Sequence, residues 1–164
     1  MPDLCIEIAN GFISSIEQSG VMQSDGSMSA WALMRHNFSA MFAMALSGAM
    51  PFLFLPFIYL LSNSMILGIA AALYLHSGLS PTLFLAGLLP HGIFELPAMI
   101  LSLACGFYLC FELCRRICRR PNLPEFSEVL GNIVRVMLLI VVPCTILAAL
   151  IECYITPLIQ SLFI

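Results

Sequence analysis

The length of its uncharged segments constrains this chain most. Between Arg35 and Glu112 the only acidic or basic residue besides histidine is Glu95, and the sequence contains no lysine. Hydrophobic residues make up 61% of the chain, charged residues 9%, and the mean hydropathy is +1.03. Inside a bilayer only α-helices and closed barrels satisfy the backbone, and barrel strands would alternate polar and apolar residues. We therefore predict an all-α, polytopic transmembrane helical bundle with broken or kinked helices.

Residues 1–36 are the least hydrophobic part of the chain. Apolar side chains recur there every four positions, which predicts an N-terminal amphipathic helix over 4–22 lying at the membrane interface, followed by a loop. The recurring positions are Leu4, Ile8, Phe12 and Ile16. A degenerate spanning helix is the alternative, and it would bury Glu7, Asn10 and Glu17 in the membrane.

Residues 37–164 form the predicted transmembrane domain, with about four spans. We expect a first span over Phe38–Leu61, kinked at its prolines, and a broken crossing or re-entrant pair over 63–90. Later spans are predicted over Gly92–Cys114 and Ile133–Thr156. Small residues every four positions would let the first span contact another helix closely: Ser39, Ala43 and Ser47.

The stretch "RRICRR", residues 115–120, holds four of the six basic residues. The positive-inside rule makes this end cytoplasmic and the C-terminus external. Prolines and acids follow, so the loop is either a partner-docking surface or an ordinary tight connection. The candidate docking residues are Arg115, Arg116, Arg119, Arg120, Glu125 and Glu128.

A polar cluster interrupts the apolar stretch "LLPHGIFELPAM". His91 and Glu95 are four residues apart and share a helical face, close to the expected start of a helix whose dipole would favour a carboxylate. Glu152 lies in the antiparallel final span, and counting from the arginines puts it within about 5 Å of the depth of Glu95. We predict one intramembrane layer of His91, Glu95 and Glu152, with Asn63 as a weaker candidate. A functional site and a structural clamp both remain open.

The seven cysteines are interpreted as reduced thiols because most lie in apolar segments. Cys110, Cys114 and Cys118 share one helical face, yet nothing completes a zinc pattern around them. No cofactor or metal is expected.

Three segments, taken together and in order, resemble the stage II sporulation protein M family of membrane proteins. They are "NSMILG" at 63–68, "LPHGIFELPAMILSLACGFYL" at 89–109, and "ALIECYITP" at 149–157. The resemblance implies a polytopic bundle of about five helices in the prokaryotic cytoplasmic membrane, and this chain departs from it in lacking a clear first span. The family has no agreed catalytic residues. Its sporulation member belongs to a cell-envelope assembly, and relatives occur with transporter ATPases.

These observations favour a non-enzymatic membrane subunit that assists assembly or transport in a cell-envelope or export complex. Its expected partners are membrane lipid, other membrane subunits and a cytoplasmic ATPase, with a homo-oligomer as an open alternative and no nucleic acid. A self-contained transporter with a proton-linked or substrate site at His91, Glu95 and Glu152 is the second hypothesis. An intramembrane hydrolase is the third, and it lacks a serine elbow, paired metal-binding histidines or an aspartate dyad.

Overall fold

A computed structural model describes residues 29–163, and the regular structure of this part of the chain is all helical, without strands. It contains four main helices: α1 (Ala30–Leu46), α2 (Leu55–His76), α3 (Pro81–Ile117) and α4 (Phe126–Gln160). By length and composition α2, α3 and α4 can each cross a membrane, whereas α1 has 17 residues. The predicted all-α membrane fold is therefore confirmed.

The predicted N-terminal domain falls almost entirely outside the described residues. The amphipathic helix over 4–22 lies wholly outside them, and the count of about four spans stays a prediction. The predicted end of the loop at residue 36 is wrong, because α1 already begins at Ala30. Ser29 caps this helix, since its side chain accepts a hydrogen bond of 3.3 Å from the backbone N–H of Ala32.

Local sequence signals account for the hairpin between α2 and α3. Gly78 has φ +73°, a left-handed conformation that glycine adopts without a Cβ clash, and it follows the last turn of α2. Ser80 then caps α3 by accepting from the N–H of Leu83 at 3.2 Å, and Pro81 occupies the first helical position. The two long helices are thus joined by only four residues, 77–80.

Helix α3 is the centre of the bundle and packs against α1, α2 and α4. The main core lies where α1, α3 and α4 meet and includes several fully buried side chains. Its buried members are Met41, Met44, Ala45, Ala98, Leu103, Cys105, Met137 and Val141. By contrast, α2 contributes only Pro56 to the buried residues, so this helix lies at the edge of the bundle.

The backbones of α1 and α3 approach each other closely at two glycines. A short 3₁₀ turn, Ser47–Ala49, follows α1, and a Cβ on its Gly48 would overlap the carbonyl oxygen of Gly106 in α3. A Cβ on Gly106 would in turn overlap the carbonyl of Met44 and lie 3.1 Å from the ring of Pro56. This glycine contact therefore holds the end of α1 and the start of α2 against α3.

The predicted first span over Phe38–Leu61 is wrong as a single helix. The chain leaves its helical path after the 3₁₀ turn, and Phe52 and Phe54 have φ of +70° and +48°. Pro56 begins α2 and does not kink an existing helix, because proline suits the first turn, where its missing N–H needs no partner. Of the expected small-residue face, Ser47 is buried, Ala43 half-buried and Ser39 exposed.

The broken pair predicted over 63–90 is also wrong. Asn63 lies inside the single 22-residue helix α2, and the second piece is the first part of α3. Helix α3 passes through both Pro90 and Pro97 and runs for 37 residues without a break. Glu95 consequently lies deep within a helix, and its predicted place near a helical N-terminus is wrong.

Helix α4 extends beyond the predicted Ile133–Thr156 at both ends and contains two π-helical turns. The first turn is Met137–Val141 and the second is Ile151–Ile155. Each π turn widens the helix locally and shifts the facing of the residues that follow it. The second turn includes Glu152, so the Glu152 side chain projects from an irregular part of the helix.

Candidate intramembrane polar site

The structure brings His91, Glu95 and Glu152 together. One ligand-forming atom from each residue lies within 4.8 Å of the others, and all three residues are half-buried. Nε2 of His91 and Oε2 of Glu95 are 3.8 Å apart, as their i, i+4 spacing on α3 predicts. The predicted layer of three residues is thus present in the fold, and the two carboxylates come from different helices.

The antiparallel packing of α3 and α4 explains why Glu152 reaches the cluster. Gln160 lies two helical turns after Glu152, and its amide contacts α3 at Gly87, where a Cβ would overlap it. Gly87 lies one turn before His91 on α3. Because the helices are antiparallel, the residues of α4 that pair with successive turns of α3 run backwards along the sequence, from Gln160 towards Glu152. Thr156 lies between Glu152 and Gln160 along α4 and is buried.

Two polar atoms of these helix segments are buried without a hydrogen-bond partner among the described residues. They are Nδ1 of His91 and Oγ1 of Thr156, whose residue is only 5% exposed. No described arginine forms an ion pair with Glu95 or Glu152. Burying polar groups without partners is unfavourable, so the layer retains capacity for further bonds.

Asn63 does not belong to this cluster. It lies on α2, where its Nδ2 donates a hydrogen bond of 2.8 Å to the carbonyl of Tyr59 on the same helix. His76 is the exposed last residue of α2 and is likewise outside the three-residue cluster. The hydrogen bond within α2 explains the polar side chain of Asn63, and exposure at the end of the same helix explains that of His76.

The predicted docking residues separate into two groups. Arg115 donates to Glu112 at 2.7 Å, while Arg116 donates to the carbonyl of Pro124 and lies 5.3 Å from the ring centre of Phe126. Arg116 therefore holds the α3–α4 connection, whereas the Arg115–Glu112 pair lies within α3. The other four predicted docking residues are exposed and make no ion pair in the described chain: Arg119, Arg120, Glu125 and Glu128.

Sequence reasoning missed four buried polar residues: Asn37, Glu112, Thr145 and Thr156. The side chain of Glu112 is 6% exposed, and its second oxygen, Oε2, has no partner in the described chain. Asn37 in α1 is 7% exposed, and its Nδ2 is also unpartnered. The burial of Asn37 could have been predicted from spacing, because this residue lies four residues after Leu33 and four before Met41, on one helical face.

The cysteine interpretation agrees with the structure where it is described. Six cysteines, from Cys105 onward, are free thiols. Along the predicted cysteine face, Cys110 is buried, Cys114 half-buried and Cys118 exposed. The only group of potential metal ligands within residues 29–163 is instead the histidine–glutamate cluster.

The fold and this polar layer define an α-helical membrane protein with ionisable residues between its apolar helices. The model of the family described as stage II sporulation protein M matches residues 4–157. The chain belongs to that family, as the three sequence segments indicated. It is also similar to an uncharacterised protein of Methanocaldococcus jannaschii, with 28% identity over 130 residues, or 79% of this chain and 72% of the relative. No solved structure matches the chain.

Proposed function

We propose that the protein is a non-enzymatic membrane subunit that joins other membrane subunits through α2, within a cell-envelope or export complex. The observation that carries this proposal is an exposed face of small residues on α2: Ser64, Gly68 and Ala72. Small residues four apart allow two membrane helices to approach closely. A Cβ on Gly68 would meet nothing within 4 Å in this chain.

The rest of α2 supports the same assignment. A long apolar helix that buries only Pro56 is held loosely by its own bundle and leaves its small face open to a helix from another chain. Exposed Arg119 and Arg120, just after the C-terminal end of α3, and exposed Glu128 in α4 offer charges to a cytoplasmic subunit such as an ATPase. Family members that occur with transporter ATPases agree with this arrangement.

Replacing Gly68 with leucine tests the α2 contact. The variant Gly68→Leu should fold normally, because the site is open, but should lose the associated membrane subunit because leucine separates the two helices. Purification in mild detergent, followed by mass spectrometry of associated proteins, measures this loss. The matched control is Ser62→Leu, exposed and about 160° around the helix from Ser64 at 100° per residue.

Recovery of the same assembly from Gly68→Leu would contradict the proposed contact. So would a wild-type protein that purifies only as a single chain. A second copy of this chain as the sole companion would replace the proposed complex with a homo-oligomer.

A self-contained transporter is the second candidate, and the convergence of His91, Glu95 and Glu152 favours it. Ionisable side chains within membrane spans commonly mark paths for ions or substrates. Here the variant Glu95→Gln should assemble normally yet lower function, because an amide keeps the shape but not the charge of the carboxylate. Glu95→Leu should mainly lower stability if the layer is only a clamp. The measurement is complementation of a deletion strain, normalised to the amount of folded protein in the membrane.

A further inference from the structure

We propose that His91, Glu95 and Glu152 bind a divalent first-row transition-metal ion, for which Zn²⁺ is the probe. The three residues place one nitrogen and two carboxylate oxygens within 4.8 Å of one another. Metal–ligand bonds of about 2.0–2.2 Å place ligand atoms roughly 3–4 Å apart. The His91–Glu95 distance of 3.8 Å already falls in that range, and modest side-chain rotation brings in Glu152.

Charge balance favours a divalent ion over a monovalent cation at this site. Two carboxylates and a neutral imidazole carry two negative charges, which a divalent cation neutralises completely. A single proton or a protonated His91 would leave one negative charge among apolar helices, where an uncompensated charge is costly. No arginine in the described chain forms an ion pair with either glutamate of the cluster.

Two further observations point to a ligand at this place. Oγ1 of Thr156 is unpartnered among the described residues, on a residue only 5% exposed that follows Glu152 by four positions. Its hydroxyl is suited to donating a hydrogen bond to a ligating carboxylate, as groups surrounding metal ligands commonly do. Glu152 itself lies in a π-helical turn, an irregularity that occurs frequently at functional sites.

The donor set selects the class of metal. Mg²⁺ and Ca²⁺ are bound mainly by oxygen atoms, whereas an imidazole nitrogen beside carboxylates suits Zn²⁺ and neighbouring transition metals. Histidine and glutamate four residues apart on α3 also present their ligand atoms on the same side of the helix. An ion held here would connect α3 to α4 and fix their register.

The full chain, purified in detergent without chelator, provides the test. After incubation with Zn²⁺ and removal of free metal, elemental analysis should find about one ion per chain, as expected for a single site. Glu95→Gln and Glu152→Gln should each lose the ion, whereas the matched control Glu128→Gln, an exposed acid outside the cluster, should keep it. Chelation should lower the melting temperature of wild-type protein and leave that of Glu152→Gln unchanged.

Absence of stoichiometric metal from the folded wild-type chain would overturn the proposal. Retention of the ion by both glutamine variants, or equal competition by Mg²⁺, would also overturn it. Metal content and melting temperature are measured on the isolated chain, so these results are independent of whether α2 recruits a partner.

Discussion

Replacing Gly48 with alanine should prevent the native packing of α1 on α3. The new methyl group would overlap the carbonyl oxygen of Gly106, a backbone atom that cannot rotate away. Inserting a methyl group into a well-packed interior costs about 1–3 kcal/mol, and a clash with backbone favours the upper end of that range. The measurement is thermal unfolding in detergent with a thiol-reactive fluorophore, because unfolding exposes buried Cys105 and Cys110.

Gly131→Ala is the matched control for this variant. Gly131 lies in α4, and an added Cβ there would meet nothing within 4 Å. Alanine is favoured over glycine inside a helix by roughly 0.5–1 kcal/mol, so this variant should be slightly more stable than wild type. If Gly48→Ala melts at the same temperature as Gly131→Ala, the close approach of α1 and α3 is not part of the folded protein.

Removing Arg115 should destabilise the C-terminal end of α3 more than removing the charge of its partner, Glu112. Glu112 and Arg115 are joined at 2.7 Å, but the side chain of Glu112 is 6% exposed and that of Arg115 is 48% exposed. Arg115→Ala therefore leaves a buried carboxylate without its cation, which we expect to cost about 1–3 kcal/mol. The exposure of Arg115 keeps this figure below that of a fully buried pair.

The partner variant reveals the cause of this loss. Glu112→Gln removes the buried charge and keeps an oxygen that can accept from Arg115, so its melting temperature should stay close to wild type. In the double variant Arg115→Ala with Glu112→Gln, most of the loss should disappear, because no charge is left uncompensated. Equal melting temperatures for the two single variants would contradict the argument.

The sequence predicts the class of fold because hydropathy alone determines the environment of this chain. It does not predict the helix boundaries, which depend on whether each proline lies in the first turn of a helix or in its interior. Pro56 begins a helix, whereas Pro90 and Pro97 lie within one, and all three occur in similar apolar stretches. The turn through Phe52 and Phe54 requires left-handed backbone at two bulky residues, a conformation that local sequence disfavours. Contacts between distant glycines place the turn there.

The candidate site is more predictable than the helices that carry it. Four-residue spacing fixes His91 beside Glu95 in any helix, and counting depth from the arginines brings Glu152 near them without knowing where either helix starts. Asn63 does not belong to the site. Counting residues gives its depth along the bundle but not the side of the bundle on which it lies. The burial of Glu112 is not predicted, because a carboxylate beside arginines normally lies at a solvated helix end.

The length of α3 determines how the protein sits in its bilayer. At 1.5 Å per residue its 37 residues extend about 55 Å, and even a tilt of 40° leaves about 42 Å along the membrane normal. The hydrocarbon layer is about 30 Å thick, so roughly ten residues of this helix must stand in the headgroups or in water. Changes in lipid chain length would then shift the depth of both ends of α3 relative to the headgroups.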